Sequence, residues 1–449
     1  MSSQAEFPHE SVRSTAQSID DDITFKKISR RLIPLLFIIY LMACIDRVNV
    51  GIAQIPIKAE LGFTDAIYGL GAGLFFLAYA LFELPNSYLM SRIGAVKTIM
   101  LLTIGWGCIS SLTMFVRNPT EFYVLRFMLG VFEAGFFPIV VYYLSCWFPL
   151  QRRAKVFALF SSGIVISGML AYPLSGAIIK YMHDVGGLSG WQWMFPLEGL
   201  PCVLLALLVP VLLDESPEHA RWLSTKEKAM VAASLEAASP ASEGLTFAQI
   251  LRKLRLYALM AVYFSFVAAL AVLQFWTPTI IHSLGVTDIA LIGLYSAIPS
   301  IVSIVAMIAI GAHTDRKQRL RESIIALALV GATALFLLPL ASASLALSLV
   351  MLSVAMGAMF SFIPLFWASV PACLPGPDVA KVTAAIATIG IIGGLVSSAS
   401  IGWLKTHTGS MGTGMYIFGA LFAAGGMLYA RTTRNVVSLR PRKVKIINS

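Results

Sequence analysis

Charge is what this sequence has least of. Charged residues occupy 12% of its 449 positions, about half of the roughly 25% usual in soluble domains. Hydrophobic residues occupy 58%, and mean hydropathy is +0.81. That balance excludes a soluble globular chain and reads as an integral membrane protein. The net charge of +10 does not point to nucleic acid, because the basic residues are spread over short loops between apolar runs, where they set topology. Cysteine is scarce too. Cys44, Cys108, Cys146, Cys202 and Cys373 fall in or at the ends of apolar runs, with no metal spacing and no disulfide framework; they read as small buried hydrophobes. No nucleotide-binding motif, Ser/His/Asp set or metal cluster is present, so nucleotide-driven pumping and an enzyme lack support, and no cofactor is expected. The first 25 residues are polar and include SIDDD, which reads as a cytosolic tail rather than a signal peptide.

What the chain has is long apolar runs. Segments able to span a bilayer fall near 32–55, 66–90, 96–116, 121–147, 155–181 and 192–213, and again near 257–281, 289–312, 322–341, 344–371, 379–404 and 413–431. The expected fold is all-α: twelve transmembrane helices in two pseudo-symmetric six-helix bundles. The expected organisation is a tail over 1–31, a bundle over 32–213, a central loop over 214–256, a second bundle over 257–431 and a basic tail over 432–449. Of 33 Lys and Arg, Lys58, Arg117, Lys180 and Lys405 fall in the loops of one side, and Arg47 and Arg126 lie inside spans. The other 27 share the opposite side, so both termini are expected in the cytoplasm.

The halves repeat. Shifted by 226, Phe136, Pro138 and Pro149 meet Phe362, Pro364 and Pro375, Ala154–Val156 meet Ala380–Val382, and Gly168 meets Gly394. Such a parallel repeat places a pathway on the pseudo-twofold axis between the bundles.

Four charges sit deep: Asp46 and Arg47 in the first span, Arg126 and Glu133 in the fourth. Each would cost about 2.5–3.5 kcal/mol unpaired at the bilayer centre, so they must face a protein interior or a water-filled cavity. Arg126 and Glu133, seven apart, share a helix face. A salt-bridge set that only glues helices is the alternative; that the second half has no acid or base deep in any span favours a site. Glu83 and Glu198 read as structural or gating partners rather than transport chemistry. His183, His282, His313 and His407 lie in loops or at span ends. Tyr79, Tyr263, Gln274, Trp276, Trp367 and Thr388 are further in-span candidates. Glycines of the fifth and eleventh spans serve close helix approach.

GxxxDR at Gly311–Arg316, which includes Asp315, resembles the loop motif of the major facilitator superfamily; its first-half copy keeps Arg92 and Gly94 but has Ser91 in place of Asp. DRVNVG (46–51), LRFMLGVFEAGFFP (125–138), SCWFP (145–149), GWQWMFPLEGLP (190–201) and IGWLKTHTGS (401–410) resemble the anion:cation symporter family, in particular its tartrate and hydroxyphenylacetate permease branch. The resemblance runs from about Arg31 to about Tyr429. It implies proton-driven uptake of small organic anions across the bacterial inner membrane, with Asp46 and Glu133 as proton-coupling acids, Arg47 and Arg126 as carboxylate-binding arginines and Tyr79 in the pocket. In the eleventh span the family commonly carries two asparagines where this chain has Ala387 and Ile391. An asparagine at the latter position reads sugar-acid hydroxyls in some members, and isoleucine cannot.

Fully ionised, Asp46, Arg47, Arg126 and Glu133 sum to zero. A bound carboxylate brings the set to −1, and one proton restores neutrality, which is the logic of symport. The expected function is therefore proton-coupled import of a small carboxylate by a monomer whose partners are protons, the organic anion and the lipid bilayer. An aromatic or short hydroxy acid fits a lining of Tyr79, Tyr263, Trp276, Trp367, Thr388 and Ile391. An exporter, an anion exchanger and a membrane sensor are the competing readings.

Overall fold

The computed structural model describes residues 9–236, 253–374 and 379–434. Among the described residues, twelve helical stretches are long and apolar enough to cross a membrane. The first is divided into α1 (His9–Val48) and α2 (Val50–Leu61). The second and third are α3 (Asp65–Ile93) and α4 (Ala95–Leu112). The fourth is divided into α5 (Pro119–Glu133) and α6 (Phe136–Ser145), and the fifth into α7 (Leu150–Ser161) and α8 (Gly163–Tyr181). The sixth is α9 (Gly190–Leu212). After the short α10 (Thr225–Glu236) the second half runs through α11 (Leu254–Ser283), α12 (Ile289–Lys317), α13 (Leu320–Leu337), α14 (Leu345–Cys373), α15 (Val379–Thr408) and α16 (Gly412–Thr432).

The face where α2 ends and α3 begins is here called distal; the opposite, proximal face carries the start of α1 and α10. Distal turns are short, and their helices are pinned by side chains. Thr64, Asn118, Asp288 and Ser344 accept backbone N–H groups at the starts of α3, α5, α12 and α14. Ser189 and Gln192 form a capping box on α9. Each cap satisfies donors that the first helical turn leaves unpaired. On the proximal face the connector docks on the first bundle: Trp222 stacks on Trp147 with ring centroids 5.8 Å apart, its Nε1 donates to Asp214, and Lys27 pairs with Glu227 at 2.9 Å.

Among the described residues, the hydrogen bonds and ion pairs that cross between the bundles gather at the distal face. Pro278 lacks the N–H that would bond the carbonyl of Gln274; the Tyr172 hydroxyl donates to that carbonyl instead. Tyr68 and Gln54 both donate to the carbonyl of Phe275 at 3.1 Å. Asp65 binds Lys58 and Lys405, and Asp288 binds Lys180. Small residues let α3 and α15 cross closely: a Cβ on Gly69 would lie 2.5 Å from the Ser398 carbonyl, and one on Gly402 2.3 Å from that of Asp65. This cross-bundle packing reaches inward as far as Phe76, whose ring lies against Gly394 and 5.6 Å from that of Phe275.

Candidate substrate site

Just proximal to that plug, α1, α3 and α5 bring two arginines to one aromatic ring. The Arg126 guanidinium lies 5.2 Å from the Phe75 ring centroid and that of Arg47 5.5 Å, the latter also 5.5 Å from Tyr79. These are cation–π distances. Arg47 is held by Glu133, whose Oε1 accepts from Nε at 2.9 Å and from Nη2. Arg126 differs. It is 2% exposed, and neither its Nε nor its Nη2 has a hydrogen-bond partner. Glu133 Oε2 is likewise buried and unpartnered. A buried guanidinium with two idle donors is costly, and its planar fork matches a carboxylate.

A helix break places Glu133. α5 ends at Glu133, Ala134 turns extended (φ −61°, ψ 135°), and Gly135 takes φ 81°, a left-handed conformation that favours glycine. The carbonyls freed there are not orphaned: Asn86 Nδ2 donates to those of Val131 at 2.8 Å and Ala134 at 2.6 Å. A slighter irregularity, at Asn49, follows Asp46 and Arg47; Asn49 keeps helical angles (φ −57°, ψ −35°) and its N–H still bonds the Ile45 carbonyl at 2.9 Å.

Those two neighbours part. Arg47 turns to Glu133, whereas Asp46 turns into the first bundle and is 1% exposed. It accepts from Ser110 Oγ on α4 at 2.9 Å, and Cys202 Sγ on α9 approaches at 3.7 Å. Asn49 Nδ2 reaches Asp46 at 3.4 Å and donates to Glu198 at 2.8 Å, and Ser175 Oγ donates to Glu198 at 2.7 Å. Asp46 and Glu133 therefore do not share one cluster. The sequence-level charge count also missed a member: Glu198 is 1% exposed, so five deep groups sum to −1 when ionised, not four to zero. The available signal was small polar residues inside spans: Asn49 one turn after Asp46, and Ser175 in α8.

The other expected site residues divide. Tyr79 lies beside Arg47. Tyr263 and Trp367 pack together across α11 and α14 with centroids 4.8 Å apart, both half-buried. Ile391 is half-buried on α15. The Thr388 hydroxyl donates to the Ala384 carbonyl of its own helix at 3.0 Å. Trp276 is fully buried, edge-on to Tyr68 at 5.0 Å and under Lys405, so it belongs to the distal packing rather than to an open wall. At the proximal face, Arg92 donates to Tyr88 at 2.9 Å. Gly94 (φ 89°) turns the chain so that Glu215 caps α4 through the N–H groups of Ala95 and Val96 at 2.9 and 3.1 Å, a partner the motif alone did not reveal. Gly311 has open space around it, and Asp315 and Arg316 are exposed.

Comparison with known proteins agrees with this architecture. The Major Facilitator Superfamily model matches residues 36–398. A candidate metabolite transport protein of Pseudomonas putida, NicT, is 39% identical over 88% of this chain and 91% of its own length. A candidate tartrate transporter of Agrobacterium vitis is 37% identical over 92% and 93%. Among solved structures, a D-xylose–proton symporter superposes with a TM-score of 0.71 at 17% identity, covering 89% of this chain and 96% of that one; at that identity the likeness speaks to the fold. With twelve spans in two repeated bundles, packed together distally of two in-span arginines, and with that family match across most of its length, the chain belongs to the Major Facilitator Superfamily and is a multi-pass membrane transport protein.

Proposed function

We propose that this protein is a proton-coupled symporter that carries a small organic carboxylate into the cell across a bacterial inner membrane. The observation that carries the reading is Arg126: a buried guanidinium whose Nε and Nη2 lack partners, beside the Phe75 ring and next to an Arg47–Glu133 pair. A carboxylate entering there completes the Arg126 fork. It also competes with Glu133 for Arg47. Protonating Glu133 weakens its hold on Arg47, so proton binding favours anion binding, and by linkage anion binding favours proton uptake by the same factor. The distribution of Lys and Arg supports a cytoplasmic proximal face, which makes this an inward-facing state with the outer side closed. The names of the tartrate and metabolite transport relatives support an organic anion as cargo. Half-buried Tyr79, Tyr263, Trp367 and Ile391 favour an aromatic or short hydroxy acid over a polyhydroxy acid, because each buried hydroxyl left unpaired costs about 1–3 kcal/mol.

The test is uptake by the purified protein in proteoliposomes of labelled 4-hydroxyphenylacetate, tartrate and galactonate, with and without an imposed gradient, acid outside. Accumulation of one of these acids that collapses with the gradient is expected, with 4-hydroxyphenylacetate competing best. Uptake indifferent to the gradient would overturn coupling, stronger competition by galactonate would overturn the substrate class, and movement only in the outward direction would establish an exporter instead.

A further inference from the structure

The buried carboxyl groups that the scheme above does not use are Asp46 and Glu198. We infer that Asp46, Asn49 and Glu198 form one proton-binding unit in which the two carboxyl groups share a single proton, so that the acid working with Asp46 is Glu198 and not Glu133. The geometry is specific. One side-chain amide, Asn49 Nδ2, spans the two carboxyls at 3.4 and 2.8 Å. Their other partners are neutral: Ser110 and Cys202 for Asp46, Ser175 for Glu198. Among the described residues no lysine, arginine or histidine forms an ion pair with either. Of the charged and titratable groups on the elements packed around them, Arg47 of α1 is bound to Glu133 of α5, Arg126 of α5 lies over Phe75, and Tyr172 of α8 donates to the Gln274 carbonyl. Cys44 of α1 and Cys202 of α9 are buried free cysteines. Two like charges bridged by one amide in a dry interior are not both ionised; such a pair titrates as a unit.

A second observation agrees with a polar unit built around Asn49. Asn49 Oδ1 is fully buried and has no side-chain or backbone donor, and every side-chain donor seen in the cluster serves a carboxyl group. The unit is also placed to sense conformation. Asn49 joins α1 to α2; Arg47, two residues before it, reaches the candidate substrate site, and Gln54, five residues after it, binds α11 in the distal packing. Movement of α2 against α1 as the distal face opens changes the bond from Asn49 to Glu198, and with it the unit's hold on the proton.

The consequence for transport rests on the symport reading; the proton unit does not, and its test needs no substrate. The measurement is pH-difference infrared spectroscopy of the purified full-length protein in a Glu83→Gln, Glu133→Gln background, following the C=O band of protonated carboxyl groups. That background removes the other acids lying away from span ends, Glu83 having a buried and unpartnered Oε2. One titrating band is expected. Glu198→Gln should lower the midpoint of what remains by about one pH unit or more, because Asp46 then ionises without a like-charged neighbour; Asp46→Asn should do the same to Glu198, and the double variant should lose the band. Glu198→Asp keeps two carboxyls and should keep the midpoint near its original value. A Glu198→Gln protein with an unchanged melting temperature and an unmoved midpoint would overturn the shared proton. If Glu198→Gln does not fold, Ser175→Ala serves: it removes a donor to the ionised form, so the midpoint should rise, and an unmoved midpoint would overturn the proposal equally. Loss of carboxylate uptake in the wild type with the titration intact would refute the transport reading alone.

Discussion

The two bundles share a plan and divide the labour. In the first, the span bearing Arg126 and Glu133 is interrupted at Ala134–Gly135, the span bearing Asp46 and Arg47 is irregular at Asn49, and buried acids and bases cluster in both. In the second, the helices run through even where they contain proline, and among the described residues the buried polar side chains are Ser and Thr. The repeat makes the contrast local. Shifted by 226, Arg126 meets Leu352 and Glu133 meets Met359, both buried, and Gly135 meets Ser361, whose hydroxyl donates to the Gly357 carbonyl inside the unbroken α14. A break frees carbonyls and aims side chains inward; it is tolerated where a neighbour such as Asn86 supplies donors. The two copies share the frame, while the buried acids and bases lie in the first and the matching positions of the second are apolar or hydroxyl side chains.

The comparison breaks most sharply if charge is moved across it. Leu352→Arg places a guanidinium at the position of Arg126 without a Glu133 or Phe75 to receive it. An unpaired arginine at mid-membrane costs about 2.5–3.5 kcal/mol on insertion scales, so the yield of folded protein from membranes should fall severely; normal yield and melting temperature would mean that the second bundle has partners for charge. Next in size, Arg126→Lys keeps the charge but loses the fork, and the apparent affinity for the transported carboxylate should fall at least about tenfold, or about 1.4 kcal/mol. A change within about twofold would pass the clamp role to Arg47. Glu133→Gln should abolish accumulation driven by the pH gradient while sparing exchange of internal for external substrate, and full accumulation by this variant would refute its coupling role. Asn86→Ala leaves the Val131 and Ala134 carbonyls unpaired at the break and should cost about 1–3 kcal/mol, read as a lower melting temperature with weaker substrate binding.

The smallest effect is expected at the distal rim. The hydrogen bond from Lys180 holds Asp288 below the usual carboxylate range, helped by the N–H groups of Leu291 and Ala290. A carboxylate with a depressed value stabilises the fold at pH above its unfolded value and loses that contribution only as pH falls through the depressed one. The Lys180–Asp288 pair should therefore be intact from neutral to mildly acidic pH. Asp288→Asn should change uptake little at neutral pH, and a marked gain in labelling of an engineered distal cysteine by a membrane-impermeant thiol reagent would show the pair to be a principal lock instead.

The twelve spans, the repeat and the depth of the charges were legible in the sequence, because a bilayer admits only long apolar helices and makes each buried charge conspicuous. The seven-residue spacing put Arg126 and Glu133 on one face of α5, as found. Asp46 and Arg47 lie about 100° apart on a helix, yet from sequence alone they counted as one charge set with Arg126 and Glu133. Which neighbour each would serve was decided by packing. Glu133 lies 86 residues from Arg47, and Ser110 lies 64 residues from Asp46. Trp276 went to the distal packing and Glu198 to Asn49 for the same reason. Helical periodicity fixes the direction of a side chain about its own axis, but the rotation of each helix against its neighbours is set by how small residues such as Gly69 and Gly402 let backbones meet, and only the assembled bundle contains that information.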